Sequence, residues 1–146
     1  MNATFCGHSQ ISGQDQISNW LDRILPALIE GGTNTFYLGG YGDFDRLAAA
    51  AVRRQKVIYP HIESVLVLPY LNREYDTAAY DSTTYPPLEN VPPRFAIVKR
   101  NQWMVRESDV VISGVIHSWG GAAKTLDFAR SKGKVIFQYP RQEKKK

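Results

Sequence analysis

Thr35-Phe36-Tyr37-Leu38-Gly39-Gly40-Tyr41-Gly42-Asp43-Phe44-Asp45-Arg46-Leu47-Ala48-Ala49-Ala50-Ala51-Val52 passes from a short apolar, β-prone run through paired glycines into strong helix formers. That order reads as a strand, a tight turn and a helix, with Asp43 placed to cap the helix N-terminus. The same grammar recurs twice. Thr4-Phe5-Cys6 leads into Gly7-His8-Ser9, and the apolar run Asp109 to Val115 leads to Trp119-Gly120-Gly121-Ala122-Ala123-Lys124-Thr125. In a parallel α/β sheet all three glycine segments meet at the carboxyl edge, where such sheets bind ligands. Glycine there lets backbone approach a phosphate, and the following helix offers free N–H groups and the positive end of its dipole. Any one of these segments is also what a plain turn requires, so the expectation of a common pocket rests on the set.

Working outward, Ile17, Trp20, Leu21, Ile24, Leu25 and Leu28 follow helical spacing, with Pro26 expected to kink or interrupt the helix and Gly31-Gly32 to end it. Ser64-Val65-Leu66-Val67-Leu68, ended by Pro69, is a continuous apolar run suited to a central parallel strand. From Tyr70 to Pro93 the pattern fails. Four tyrosines, Tyr70, Tyr75, Tyr80 and Tyr85, and the prolines Pro86, Pro87, Pro92 and Pro93 predict a long irregular loop, either an ordered cover over the site or a segment packed onto the domain. Phe95, Val98, Trp103 and Met104 predict one face of a helix reaching about Glu107, and a last helix (122–131) is stopped by Gly133 before a strand at 135–139. Five strands thus alternate with four helices. The fold class is α/β, a single Rossmann-like domain over residues 1–140 with a parallel sheet of about five strands and helices on both faces, followed by a basic tail, 141–146.

The chain has 146 residues, enough for one sizeable core, and is 43% hydrophobic and 22% charged. No apolar run approaches the roughly 20 residues that span a bilayer, so no membrane partner is expected. The N-terminal Met1-Asn2-Ala3-Thr4-Phe5 lacks the features of a signal peptide, and one cysteine cannot form an internal disulfide; both favour a reducing cytoplasm. The net charge is +4, and removing Lys144-Lys145-Lys146 leaves +1. With no aromatic residues interleaved in the tail, the basicity reads as a solvated end, and nucleic acid is not the expected partner.

No glycine segment matches G-x-G-x-x-G or a loop ending in Gly-Lys-Ser/Thr, which argues against an ordinary dehydrogenase or ATPase. His8 sits in the first turn, where it donates to phosphate, acts as acid or base, or only caps the turn. Asp43 and Asp45 either cap the helix or bind a ribose hydroxyl. Lys99 and Arg100 taken alone read as a solvated face. Lys124, in a first helical turn where cations are disfavoured, suggests an anionic ligand. His61 and His117 have no ligand spacing with Cys6, so no metal and no cofactor are expected, and Cys6 reads as a small buried hydrophobe.

An ordered set of these segments carries a family resemblance. Phe5-Cys6-Gly7-His8, the stretch Phe36 to Ala48, Val65-Leu66-Val67-Leu68-Pro69-Tyr70, Lys99-Arg100-Asn101-Gln102-Trp103-Met104-Val105 with Ser108-Asp109, and Gly120-Gly121 followed by Thr125, Ala129 and Gly133-Lys134 resemble the SLOG superfamily over nearly the whole chain. Its small bacterial and prophage single-domain branch is the more similar part. The resemblance implies a homodimeric Rossmann-like domain that binds or senses a nucleotide-derived small molecule. It implies ligand contacts from Gly7, His8 and Ser9, from Gly39, Gly40, Gly42, Asp43 and Asp45, from Arg100 and Asn101, and from Gly120, Gly121, Ala122, Lys124 and Thr125. The alternative it implies is a Lonely Guy-like phosphoribohydrolase acting on nucleoside monophosphates, with Arg100 and Asp127 as its catalytic candidates. Asp127 stands where that pattern has glutamate, one methylene longer, and Cys6, Ser9 and Ala122 replace threonine, arginine and threonine of the closer branch. A carboxylate shortened at a site needing ångström-level placement favours binding over hydrolysis.

Overall fold

Six strands form one parallel sheet: β1 (Asn2–Gly7), β2 (Thr35–Leu38), β3 (Glu63–Val67), β4 (Ser82–Thr84), β5 (Val110–Gly114) and β6 (Val135–Gln138), in the order β4-β3-β2-β1-β5-β6. The four helices are α1 (Gln14–Glu30), α2 (Gly42–Ile58), α3 (Ala96–Arg106) and α4 (Gly121–Ser131). The computed structural model describes residues 1–140, so the basic tail lies outside the described residues.

The strand count exceeds the sequence expectation by one because β4 hides in the segment read as irregular. Its Ser82-Thr83-Thr84 has no apolar signal. Polar hydrogen bonding places it instead: the Asp81 carboxylate accepts the Ser64 N–H at 2.8 Å and pairs with Lys56 at 3.0 Å, which seats the strand beside β3. A polar strand suits an edge, where one side of its ladder faces water.

Helices α1 and α2 pack together on one face of the sheet, and α3 and α4 on the other. Trp20, Leu21, Leu25 and Leu28 of α1, spaced for one helical face, join Phe36, Phe44, Ala48, Val52 and Ile112 in a single cluster. Pro26 does not break α1, which runs uninterrupted through it. Pro26 is only partly buried, so the carbonyl it frees is not sealed in the core. Phe44 is fully buried, and its ring lies over paired Gly7 and Gly114, where β1 and β5 end side by side. A Cβ at either glycine would overlap the ring. At Gly7, therefore, the lost side chain makes room for an aromatic ring of the core.

On α3 the expected apolar face is corrected. Its buried residues are Ala96, Arg100, Met104 and Val105, while Phe95 and Val98 are 45% and 50% exposed. A guanidinium occupies the position, one turn before Met104, that the hydrophobic pattern assigns to the core. Two of the three tryptophans are used inside the domain: Trp20 is buried against Tyr139, and Trp103 packs edge-on against Tyr37.

Candidate functional site

Because β2 follows β1 on one side and β5 flanks it on the other, the direction of chain order reverses at the β1–β5 pair, the place where open α/β sheets hold ligands. A cleft of about 470 Å³ opens there. It is walled by the ends of β1, α2, α3 and α4.

The first wall is Gly7-His8-Ser9. His8 is buried, and its Nε2 accepts the backbone N–H of Ile116 at 2.9 Å and of His117 at 3.4 Å. A nitrogen accepting two N–H groups must be unprotonated, so His8 is a neutral ring that anchors the segment after β5. Burial, and next the neighbouring His117, lower its pKa in keeping with that role. The His117 ring stacks on His8 with centroids 3.6 Å apart, and Trp119 stacks on His117 at 3.8 Å. Three parallel rings thus border one side of the cleft.

The second wall comes from the start of α2, where Tyr41 is the N-cap and Gly42 the first helical residue. Asp45 turns its carboxylate back to accept the Tyr41 N–H at 3.2 Å, satisfying a donor that the helix leaves free. Burial pushes the Asp45 carboxyl up to about 6, against the opposing pull of the Tyr41 N–H and the Arg100 charge. Among the described residues Asp45 is the single carboxylate that lines the cleft.

The third wall is α3, with Ile97, Arg100, Asn101 and Met104. Arg100 is 4% exposed. Its Nη1 donates to the carbonyls of Val67 at 2.9 Å and Gly39 at 3.0 Å, and its Nε donates to Asn101 Oδ1 at 2.8 Å. Nη2 has no hydrogen-bond partner and no carboxylate lies within 4 Å of the guanidinium among the described residues. The buried charge is thus held by carbonyls at one end, while at the other Nη2 and the Asp45 carboxylate share the space beside Gly39, close enough for the opposite charges to act on each other without a hydrogen bond. The fourth wall is the N-terminus of α4: Gly120, at φ +91°, turns the chain so that Gly121, Ala122 and Thr125 face the same space. A Cβ on Gly121 would meet nothing within 4 Å, so that helix end is open.

Of the sequence-derived site residues, the cleft gathers Gly7, His8, Ser9, Asp45, Arg100, Asn101, Gly120, Gly121, Ala122 and Thr125. Gly39 stands behind it, holding Arg100 through its carbonyl. Gly40, Gly42 and Asp43 line a neighbouring cavity of about 880 Å³ against Arg46, Arg53 and Tyr80. The three glycine segments therefore share one edge, but the middle one reaches the cleft through Tyr41 and Asp45. Asp43 is not the helix cap; it lies inside the first turn, accepts the Ile11 N–H at 3.1 Å and pairs with Arg46 at 3.3 Å. Lys124 is exposed on α4 and does not line the cleft. Asp127 is exposed on the outer face of α4, beside Arg130 at 3.6 Å, because Ala123, Leu126 and Ala129 set the buried face and leave position 127 opposite it. The tyrosine-rich segment does not cover the cleft: Tyr70 packs the loop by donating to the Pro93 carbonyl at 2.9 Å, and Tyr80 lines the other cavity. Burial pushes the Cys6 thiol up to about 12, which leaves it a neutral hydrophobe. What the sequence did not reveal is the His8–His117–Trp119 column, whose members lie 109 and 2 residues apart.

No protein-family model matches the chain, and no curated protein matches it. Solved structures do. DNA processing protein A from Streptococcus pneumoniae is similar over 97% of this chain and 50% of its own, with a TM-score of 0.71 and 19% identity. The same protein from Helicobacter pylori, described for its single-stranded DNA binding mode, is similar over 97% of this chain and 66% of its own, with a TM-score of 0.67 and 17% identity. The molybdenum cofactor binding protein from Rippkaea orientalis is similar over 94% of this chain and 74% of its own, with a TM-score of 0.65 and 20% identity. The chain thus spans between half and three quarters of these proteins, and what it shares with them is the fold, a Rossmann-like parallel sheet flanked by helices.

Proposed function

We propose that the cleft binds a nucleotide-derived small molecule, its phosphate set against the N-terminus of α4 and its negative charge met by Arg100. The observation that carries this is the buried guanidinium with a free Nη2 on the same cleft as an unobstructed helix start. Either feature alone would be weak. Together they offer the Nη2 donor of a cation and a helix dipole to one anion. Asp45, beside the Arg100 guanidinium at Gly39, is suited to a ribose hydroxyl.

Ribose 5-phosphate and AMP titrated calorimetrically into the protein test this. Binding is expected for both, and Gly121→Val should abolish it by filling the phosphate position without disturbing the fold. Retained affinity in Gly121→Val, or no binding of either ligand to the wild type, would sink the proposal. The narrower assignment to the bacterial and prophage branch, and the homodimer that the resemblance implies, belong to the same proposal; sedimentation equilibrium tests the dimer.

A second reading is favoured by one observation: the cleft holds a carboxyl group whose pKa is raised to about 6. Hydrolysis of a nucleoside monophosphate to base and ribose 5-phosphate would then run through Asp45 rather than Asp127. Release of adenine from AMP, lost in Asp45→Asn and unchanged in Asp127→Asn, is its signature.

A further inference from the structure

Trp119 is 68% exposed, yet it is held. One face of its indole lies on His117 at 3.8 Å with only 16° between the planes, and His117 lies in turn on His8 at 3.6 Å and 15°. His8 is pinned by the two N–H groups it accepts, from Ile116 and His117, so the innermost ring of the column is fixed to the segment that carries the outermost. Gly120 then turns the chain into α4 immediately after Trp119. An indole anchored on one side and, among the described residues, bare of any ring on the other, at the mouth of a cleft, is a platform with a vacant place. Ile97 and Ile116, 47% and 46% exposed, add apolar surface, and Ile97 is on the same cleft.

We infer that Trp119 extends the ring column to a ligand: its free face stacks the purine base of the mononucleotide whose phosphate lies at Gly121. This rests on the phosphate reading above. A purine fits better than a pyrimidine because stacking grows with ring overlap and the indole is itself bicyclic. One nucleotide matches a cleft of about 470 Å³, within the usual range for small-ligand sites. The short link from Trp119 through Gly120 to Gly121 keeps base and phosphate sites on adjoining residues.

The test compares ribose 5-phosphate, adenosine and AMP on the wild type, Trp119→Phe and Trp119→Ala, together with a hexadeoxyadenylate. Removing the platform should cost AMP about 10- to 100-fold in affinity, the usual worth of one base–aromatic stack, and should leave ribose 5-phosphate unchanged. Trp119→Phe should recover most of the loss. AMP and adenosine should quench part of the tryptophan emission, and that quenched part should vanish in Trp119→Phe. If ribose 5-phosphate binds but AMP gains nothing over it, or the gain survives Trp119→Ala, the stack is overturned while the phosphate site stands. Adenosine quenching with no ribose 5-phosphate binding would support the platform and sink the phosphate reading. A hexadeoxyadenylate that binds through Trp119 while AMP does not would overturn the mononucleotide in favour of single-stranded nucleic acid, and silence from all four ligands overturns both.

Discussion

The face covered by α1 and α2 carries one continuous apolar cluster with the polar Gln55 of α2 buried beside it, whereas the α3 and α4 face carries two smaller clusters and buries the charged Arg100 together with Ser108, Ser113 and Thr125. The first face follows hydrophobic periodicity and could be read from it. The second departs from periodicity where Arg100 sits, and the cleft opens there. Stability and ligand chemistry are thus separated across a sheet only one residue layer thick, and substitutions on the two sides should fail in different ways.

The largest effect should come from Phe44→Ala. A fully buried ring seated on two glycines leaves a cavity, and the cost should be about 3–5 kcal/mol of unfolding free energy in a denaturant titration. A loss under ~1 kcal/mol would break the contrast between the faces. Arg100→Met should cost less, about 1–3 kcal/mol, because what it removes is the donor to two carbonyls, while ribose 5-phosphate binding should disappear. Unchanged binding in that variant would mean that the polar face has no ligand role through Arg100.

Asp45→Asn sharpens the comparison by pH. The Asp45 pKa rises from 3.8 to about 6 in the folded protein, so its stabilising contribution is complete below pH 3.8 and is lost as pH rises through 6. The asparagine variant should therefore be more stable than wild type by roughly 1–2 kcal/mol at pH 8 and equal to it near pH 3.5. His8 has the opposite sign. Its folded pKa lies below 6.5, so its contribution is present above pH 6.5 and is lost as pH falls below that value. Thermal melts between pH 4 and 8 separate the two, and a variant whose advantage did not shrink with acid would contradict the buried-carboxyl account. The smallest expected effect is that of Trp119→Ala on stability, within about 0.5 kcal/mol, since the ring is largely solvent-exposed.

Much of the architecture was legible because strand runs and helical spacing alternate plainly, and the glycine segments marked the right edge. The failures share a cause: a residue's role was set by a partner distant in sequence. β4 depends on Asp81 meeting Ser64 and Lys56; Asp43 serves Ile11, 32 residues away, instead of its own helix end. Arg100 looked solvated because the carbonyls of Gly39 and Val67 that bury it lie 61 and 33 residues away. Asp127 is different. It was placed by family spacing, although the apolar phase of Ala123, Leu126 and Ala129 already turned it outward.

The seating of Phe44 on Gly7 and Gly114 also bears on how freely this site can be altered. The strand ends beneath the cleft are frozen by what lies on their other side, so variation for a new ligand must come from positions whose side chains answer to no core neighbour. Ser9, Ile97 and Trp119 are such positions, on the cleft and clear of the main apolar cluster. A mutant library that varied those three and left both glycines intact should yield mostly folded proteins with altered ligand preference, while one that opened positions 7 and 114 should be depleted of soluble members before selection begins.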